Sequence, residues 1–221
     1  MEKFIHVDCC NSTQELLKEQ LAVNPNDELT VSCELQLQGR GRGINTWEDS
    51  NGTICFSMNI APHIKTSFTA LEMSLLVSRF FETKGRFISL KWPNDLQNAM
   101  GKKCGGILVQ NAGNNYLAGI GINLFHEKTE FGAVYETNFE IEKKSWAQDI
   151  SQFIRIHRYK ESSEIIADWI KKCVHLNQQV KIIDNEQVTT GFFLGLGEYG
   201  EALIMNESGI HHLYNGTFRL V

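Results

Sequence analysis

The chain is poor in proline, with three in 221 residues, and it has no repeated or compositionally biased tract, so an extended disordered segment is not expected. Positive charge is also in short supply. The 21 Lys and Arg are outnumbered by 26 Asp and Glu, giving a net charge of −5 and no electrostatic support for general nucleic-acid binding. Cys9, Cys10, Cys33, Cys55, Cys104 and Cys173 include no C-x-x-C pair and no zinc-finger spacing with a histidine, and their scatter argues against a disulfide framework. The seven histidines form no H-x-x-x-H pattern, and no G-x-S-x-G nucleophile elbow occurs. No apolar run approaches the roughly 20 residues of a membrane span, and residues 1–6 lack a signal-peptide core. The expectation is a soluble, cytoplasmic globular chain with reduced thiols and neither DNA nor membrane as partner.

What the chain does have is periodicity. Apolar residues alternate over 29–37 and return to alternation at Ile54, Phe56, Met58 and Ile60, which predicts half-buried strands. Residues 4–7, 87–92, 105–109 and 116–124 read as further strands, with a turn at 112–115. Ser12 to Glu15 has the S-x-x-E form of a capping box ahead of a helix through Leu16, Leu17 and Leu21. A second helical stripe runs from Phe68 to Phe81 and stops at Gly85, and a third spans about 145–173. Beyond Asn177 the character changes to short strands separated by turn residues, as in a small β-barrel. The predicted class is α+β: a mixed sheet with helices over 1–176, then a small β domain over 177–221.

Five segments have chemistry to offer. In Gln36-Leu37-Gln38-Gly39-Arg40-Gly41-Arg42-Gly43, glycines free the backbone for close approach while two arginines supply forks for phosphate or carboxylate. It is neither a Rossmann fingerprint nor a Walker loop. Lys91-Trp92-Pro93-Asn94-Asp95 reads as a rigid corner holding a cation and a carboxylate a few residues apart. Lys102-Lys103-Cys104-Gly105-Gly106 leads two cations into a strand whose first backbone is bare. Gly119-Ile120-Gly121-Ile122-Asn123 alternates small residues along one strand face, and Ser12-Thr13 precedes a helix. Each has a plainer reading on its own: a solvated connection, a turn with a surface ion pair, a basic strand end, a tightly packed strand, an N-cap.

Taken in order, Ser-Thr before a helix, Q-x-x-G-R-G-R, K-W-P-N-D, K-x-x-G-I-L and G-I-G-I-N resemble the biotin–protein ligases, and K-W-P-N-D is the most specific of them. The resemblance covers essentially the whole chain. It implies a catalytic domain related to class II aminoacyl-tRNA synthetases followed by an SH3-like domain, in the monofunctional form without a DNA-binding helix-turn-helix. It further implies activation of biotin by ATP to biotinyl-5′-AMP, then amide-bond transfer to a lysine of a biotin carboxyl carrier protein such as an acetyl-CoA carboxylase subunit. Homodimerisation is compatible with the family.

Carried over residue by residue, the resemblance gives Ser12, Thr13, Gln36, Gly39 and Gly105 to biotin, with Lys103 reaching the carboxylate. Arg40 and Arg42 would serve both substrates from the loop that closes over them, Trp47, Asn94 and Asn123 would meet the nucleotide, and Lys91 and Asp95 would flank the reaction centre. Magnesium would arrive with ATP, its protein ligands unassigned. The chain departs from the pattern at Asn11 and Gln14, and at Ile44-Asn45-Thr46-Trp47, where an arginine is missing. The stretch from Asp95 to Lys103 makes Lys102 a rival for the biotin lysine. Two other readings stand beside this one: lipoate or octanoyl attachment by a related fold, against which K-W-P-N-D speaks, and a non-catalytic protein that binds biotin or a carrier domain.

Overall fold

The computed structural model describes residues 2–113, 115–128, 130–137, 139–184 and 187–220. The chain begins with β1 (Lys3–Cys10), α1 (Thr13–Val23) and β2 (Leu29–Gln36). The intervening helix carries the chain back along the sheet, so β1 and β2 pair in parallel, with Val7 opposite Cys33. Two short strands, β3 (Gly39–Arg40) and β4 (Thr46–Trp47), pair with each other inside the glycine-rich stretch. Next come β5 (Thr53–Ile60), a 3-10 turn at Thr66–Phe68, α2 (Thr69–Thr83), β6 (Ser89–Lys91), β7 (Asp95–Gln97), β8 (Lys103–Ala112) and β9 (Asn115–Asn123). They complete a seven-stranded mixed sheet in the order β1-β2-β5-β9-β8-β7-β6. Helices α3 (Lys143–Ile156) and α4 (Ser162–Lys172) lead to a five-stranded antiparallel sheet of the SH3-like kind, made of β10 (Gln179–Asp184), β11 (Gln187–Leu196), β12 (Ala202–Asn206), β13 (Gly209–Leu213) and β14 (Thr217–Leu220).

Alternation along the central strands decides which face does what. Ile54, Phe56, Met58 and Ile60 of β5 and Ala118, Ile120 and Ile122 of β9 join the main core with Phe68, Leu75 and Phe81. The residues between them are small, and they belong to the opposite face. There α1 lays Leu17 and Leu21 over Leu29, Val31 and Leu117 as a second, smaller cluster. The main core continues without a break into the second sheet through Val180, Ile182, Phe193 and Phe218. Trp92 is part of that continuity: its ring is buried and its Nε1 donates to the Gly200 carbonyl at 3.1 Å.

The expected α+β class is observed, and three local readings are corrected. Residues 95–97 form a strand, because Asp95 and Leu96 find partners on both Lys91–Leu90 and Gly106–Gly105. The single helical stretch over 145–173 is two helices, separated at 157–161, where Tyr159 N–H turns aside to the Glu72 carboxylate at 2.9 Å. No capping box forms, since the Ser12 side chain makes no cap hydrogen bond and Glu15 is drawn to Arg40 at 2.5 Å instead.

Candidate active site

Where the sheet carries small residues on the α1 side, it leaves a hollow. Cys55 and Ser57 on β5, Gly106 on β8 and Gly119 and Gly121 on β9 line a cavity of about 770 Å³, within the range of small-molecule sites. Its inner end is polar. Gln36 Oε1 accepts the Thr13 N–H at 2.9 Å and the Thr13 hydroxyl at 3.2 Å. The amide of Gln36 thus satisfies the helix end that a capping box would have satisfied. The Thr13 hydroxyl is also 2.8 Å from that of Ser57, and Ser12 lines the same wall. Gln14 crosses behind them, its Nε2 donating to the carbonyls of Leu108 at 2.9 Å and Leu117 at 3.1 Å.

The outer end is cationic. The β6–β7–β8 ladder puts Lys91 opposite Asp95 and Asp95 opposite Gly106. Lys103 returns over Gly106 to place Nζ 2.5 Å from Asp95 Oδ1. Asn94 ties the corner down: its Nδ2 donates to the Ile107 carbonyl at 2.6 Å, and Ile107 N–H returns a bond to the Asn94 carbonyl at 3.0 Å. Arg42 reaches the second sheet, where Nη1 donates to the Gly216 carbonyl at 3.4 Å. Burial lowers the Arg42 pKa against the opposing pull of Asp95 and Asp184. Burial likewise lowers Lys91, with Lys103 and Arg219 adding to the effect and Asp95 resisting it. Such desolvated cations are suited to an anion that arrives without its water.

Trp47 closes one side. Its indole lies over Gly121, where a Cβ would stand 2.5 Å from Cε2, so glycine is needed there for the ring to pack. The indole Nε1 is buried without an oxygen or nitrogen partner and faces the Cys55 thiol, which burial holds far above its ordinary pKa and so in the protonated form.

Of the residues singled out from sequence, Ser12, Thr13, Gln36, Arg40, Arg42, Trp47, Lys91, Asn94, Asp95 and Lys103 all meet at this one cavity. Gly39, Gly105 and Asn123 do not line it. Gly39 is packed against the Trp47 carbonyl and the Gln36 amide, and Gly105 backs onto the Gly121 carbonyl and Leu96. Both amide ends of Asn123 are engaged, Oδ1 accepting from the Thr53 hydroxyl at 3.0 Å and Nδ2 donating to the Gly132 carbonyl at 3.1 Å. Of the two neighbouring lysines, Lys103 faces the cavity and Lys102 does not. Sequence reasoning missed the contribution of the second sheet, Asp184, Asn215, Thr217 and Phe218, which no local pattern marks. It also missed Ser57, which reads as a strand filler, and noted Gln14 only as a departure from the pattern. Among the described residues no group of three or more His, Cys, Asp or Glu side chains could hold a metal ion by itself.

Fold and site together define an α+β protein with a cavity of small-molecule size, polar at its inner end and cationic at its mouth under a glycine–arginine loop. The chain belongs to the biotin/lipoate A/B protein ligase family, whose model it matches over residues 6–125. It is 30% identical to the biotin–protein ligase of Schizosaccharomyces pombe over 77% of its length, and 29% identical to biotin–protein ligase 2 of Arabidopsis thaliana over 52%. The chain spans about a third of the length of these relatives, 34% and 37% respectively. Its structure is similar to that of the Aquifex aeolicus biotin protein ligase in complex with biotin and ATP, with a TM-score of 0.79, 27% identity and coverage of 100% of this chain and 99% of that one. The fold is also that of the Helicobacter pylori biotin acetyl coenzyme A carboxylase synthetase, with a TM-score of 0.71 at 21% identity and coverage of 96% of this chain and 98% of that one. No helix among the described residues is long and apolar enough to cross a membrane.

Proposed function

We propose that this chain bonds the biotin carboxylate to the α-phosphate of ATP, forming biotinyl-5′-AMP and releasing pyrophosphate, and then transfers the biotinyl group to a lysine amine of a biotin carboxyl carrier protein, releasing AMP. The observation that carries this reading is the division of one cavity into an uncharged polar end, built by Ser12, Thr13, Gln36 and Ser57, and a cationic end, built by Arg40, Arg42, Lys91 and Lys103. A ligand with a neutral polar head and a carboxylate tail fits that polarity in one orientation. Likeness to a ligase solved with biotin and ATP supports the same substrates.

The chemical obstacle is repulsion, since a carboxylate must attack the α-phosphate of ATP and both are anionic. Arg42, Lys91 and Lys103 offset that repulsion before the bond forms, in a site where burial already strips water from Arg42 and Lys91. Magnesium enters as part of the MgATP substrate, held chiefly by phosphates. The mixed anhydride needs protection from water, which the 39–51 segment and Trp47 supply by covering the cavity. In the transfer step the acceptor lysine, with an ordinary pKa of about 10.4, arrives protonated. Asp95 is placed to orient that ammonium and ease its deprotonation. Gly39, Gly105 and Asn123 support the site from behind, as parts of its packing. The reaction takes place in the cytoplasm, with no DNA partner. The 177–221 segment acts as an SH3-like module that shares the main core and supplies one wall of the site.

Purified chain incubated with biotin, MgATP and a carrier domain is expected to give one covalent adduct on a single acceptor lysine, read by mass spectrometry. Transfer of lipoate and none of biotin would overturn the reading.

A further inference from the structure

A buried ion pair lies beneath the cavity and outside it. Lys143, the first residue of α3, directs Nζ to the Glu34 carbonyl at 2.5 Å and the Ser50 carbonyl at 3.0 Å. Asp49 Oδ2 accepts the Gln36 N–H at 2.7 Å, and its Oδ1, with no hydrogen-bond partner, is 3.8 Å from Lys143 Nζ. The two side chains are only 6% and 1% exposed. Glu34 and Gln36 end β2, where the glycine–arginine segment departs; Asp49 and Ser50 lie where it returns. One lysine and one aspartate therefore hold both feet of the loop.

Two further observations argue that this arrangement is built rather than incidental. A lysine in the first turn of α3, which holds no acidic residue, opposes the helix dipole, so local energetics disfavour Lys143 there and only its tertiary partners account for it. Burial also raises the Asp49 pKa, which Lys143 and the Gln36 N–H counteract by favouring the carboxylate.

We propose that Asp49 and Lys143 are positioning residues: a buried clamp that fixes the two ends of the 37–48 loop and thereby holds Gln36 at the polar end of the cavity and Trp47 over Gly121. Neither residue lines the cavity. They act through Gln36, whose backbone is bonded to Asp49 and whose amide meets Thr13, and through Trp47, two residues before Asp49. The activity part of the test rests on the proposed ligase reaction; the structural part does not.

The experiment compares the wild-type 221-residue chain with Asp49→Asn, which keeps the shape and an acceptor for the Gln36 N–H, with Lys143→Met, which keeps the alkyl stem, and with Lys143→Arg, which keeps the charge. Amide exchange over 36–50 is expected to accelerate by about tenfold or more in the first two, while β5 and β9 keep wild-type protection. Lys143→Arg is expected to stay within about twofold of wild type in that region. The double variant Asp49→Asn/Lys143→Met is expected to exchange no faster than the faster single variant, because the two changes break one unit. In steady state, KM for biotin is expected to rise by about tenfold in Asp49→Asn with kcat within about twofold, the mark of lost positioning and not of lost chemistry. Wild-type exchange over 36–50 in both single variants overturns the proposal, and so does loosening spread equally across β5 and β9. Absence of biotin-dependent turnover in the wild type itself would overturn the ligase reading, and the exchange data would still decide the clamp.

Discussion

Lys103 reaches back over Gly106 to pair with Asp95 at 2.5 Å, and Lys91, opposite Asp95 in the ladder, feels the same carboxylate's charge. Two ammonium groups around one aspartate leave net positive charge for an incoming anion. Lys103→Ala is expected to reduce biotin-dependent ATP–pyrophosphate exchange by roughly a hundredfold or more, and Arg40→Ala to reduce it in the same direction, as loss of preorganised charge does. Asp95→Asn is expected to bind biotin within about twofold of wild type and to slow transfer from preformed biotinyl-5′-AMP by about tenfold or more. Single-turnover transfer at the wild-type rate in Asp95→Asn would remove Asp95 from the transfer step. Chemistry at this scale was legible in the sequence where motif and partner lie close together, as with Lys91 and Asp95. It was not legible for Asp184 or Phe218, which reach the cavity from a different sheet.

The 39–51 segment has little to hold it by itself. Ile44 is fully exposed, Trp47 alone packs its ring into the site, and β3 and β4 pair over only two residues each. Ordering backbone costs roughly 1–2 kcal/mol per residue, which so small an apolar surface does not offset. Ligand contacts through Arg40, Arg42 and the backbone amides are expected to supply the difference, coupling closure to substrate arrival. Amide exchange over 39–51 is therefore expected to slow on adding biotin with a non-hydrolysable ATP analogue, and equal protection with and without ligand would show a pre-formed loop. Glycine spacing revealed that this segment is unusual. The clamp under its ends could not be read, since Lys143 lies about ninety residues beyond Asp49 and looks locally like a surface lysine.

Across the whole molecule, the two sheets are joined through an apolar seam that contains one titratable ring. His175 is 1% exposed, packed against Trp169, Phe193 and Phe218, and its Nε2 has no partner. Burial, with Lys91 adding repulsion, lowers its pKa from 6.5 to about 4. The folded state thus binds this proton less well than the unfolded chain. The stability that this implies is intact above about pH 6.5 and is lost as pH falls toward 4, amounting to about 3 kcal/mol from the pKa difference. Urea unfolding at pH 7, 5.5 and 4 is expected to show that decline, and His175→Phe to flatten it; an equal decline in the variant would assign it to other groups. Phe218 touches both His175 and the cavity wall, so acid loosening of the seam is expected to reach the site as well.

What the sequence determined by itself is whatever repeats at short range: the period-two alternation of β5 and β9, the helical stripe of α2, the glycine–arginine spacing and the change to short strands after Asn177. These signals survive because a strand or helix sets its own side-chain directions before anything packs on it. Tertiary structure decided the rest. It made Gln36, and not a capping box, the partner of the α1 N-terminus; turned residues 95–97 into a strand by giving them neighbours on both sides; drew Asn123 into the packing; and brought the second sheet up to wall the cavity. Each of these outcomes depends on which distant backbone groups and charges become neighbours once the main core has closed. Burial then sets the strength of every contact between them, and no window along the chain carries that information.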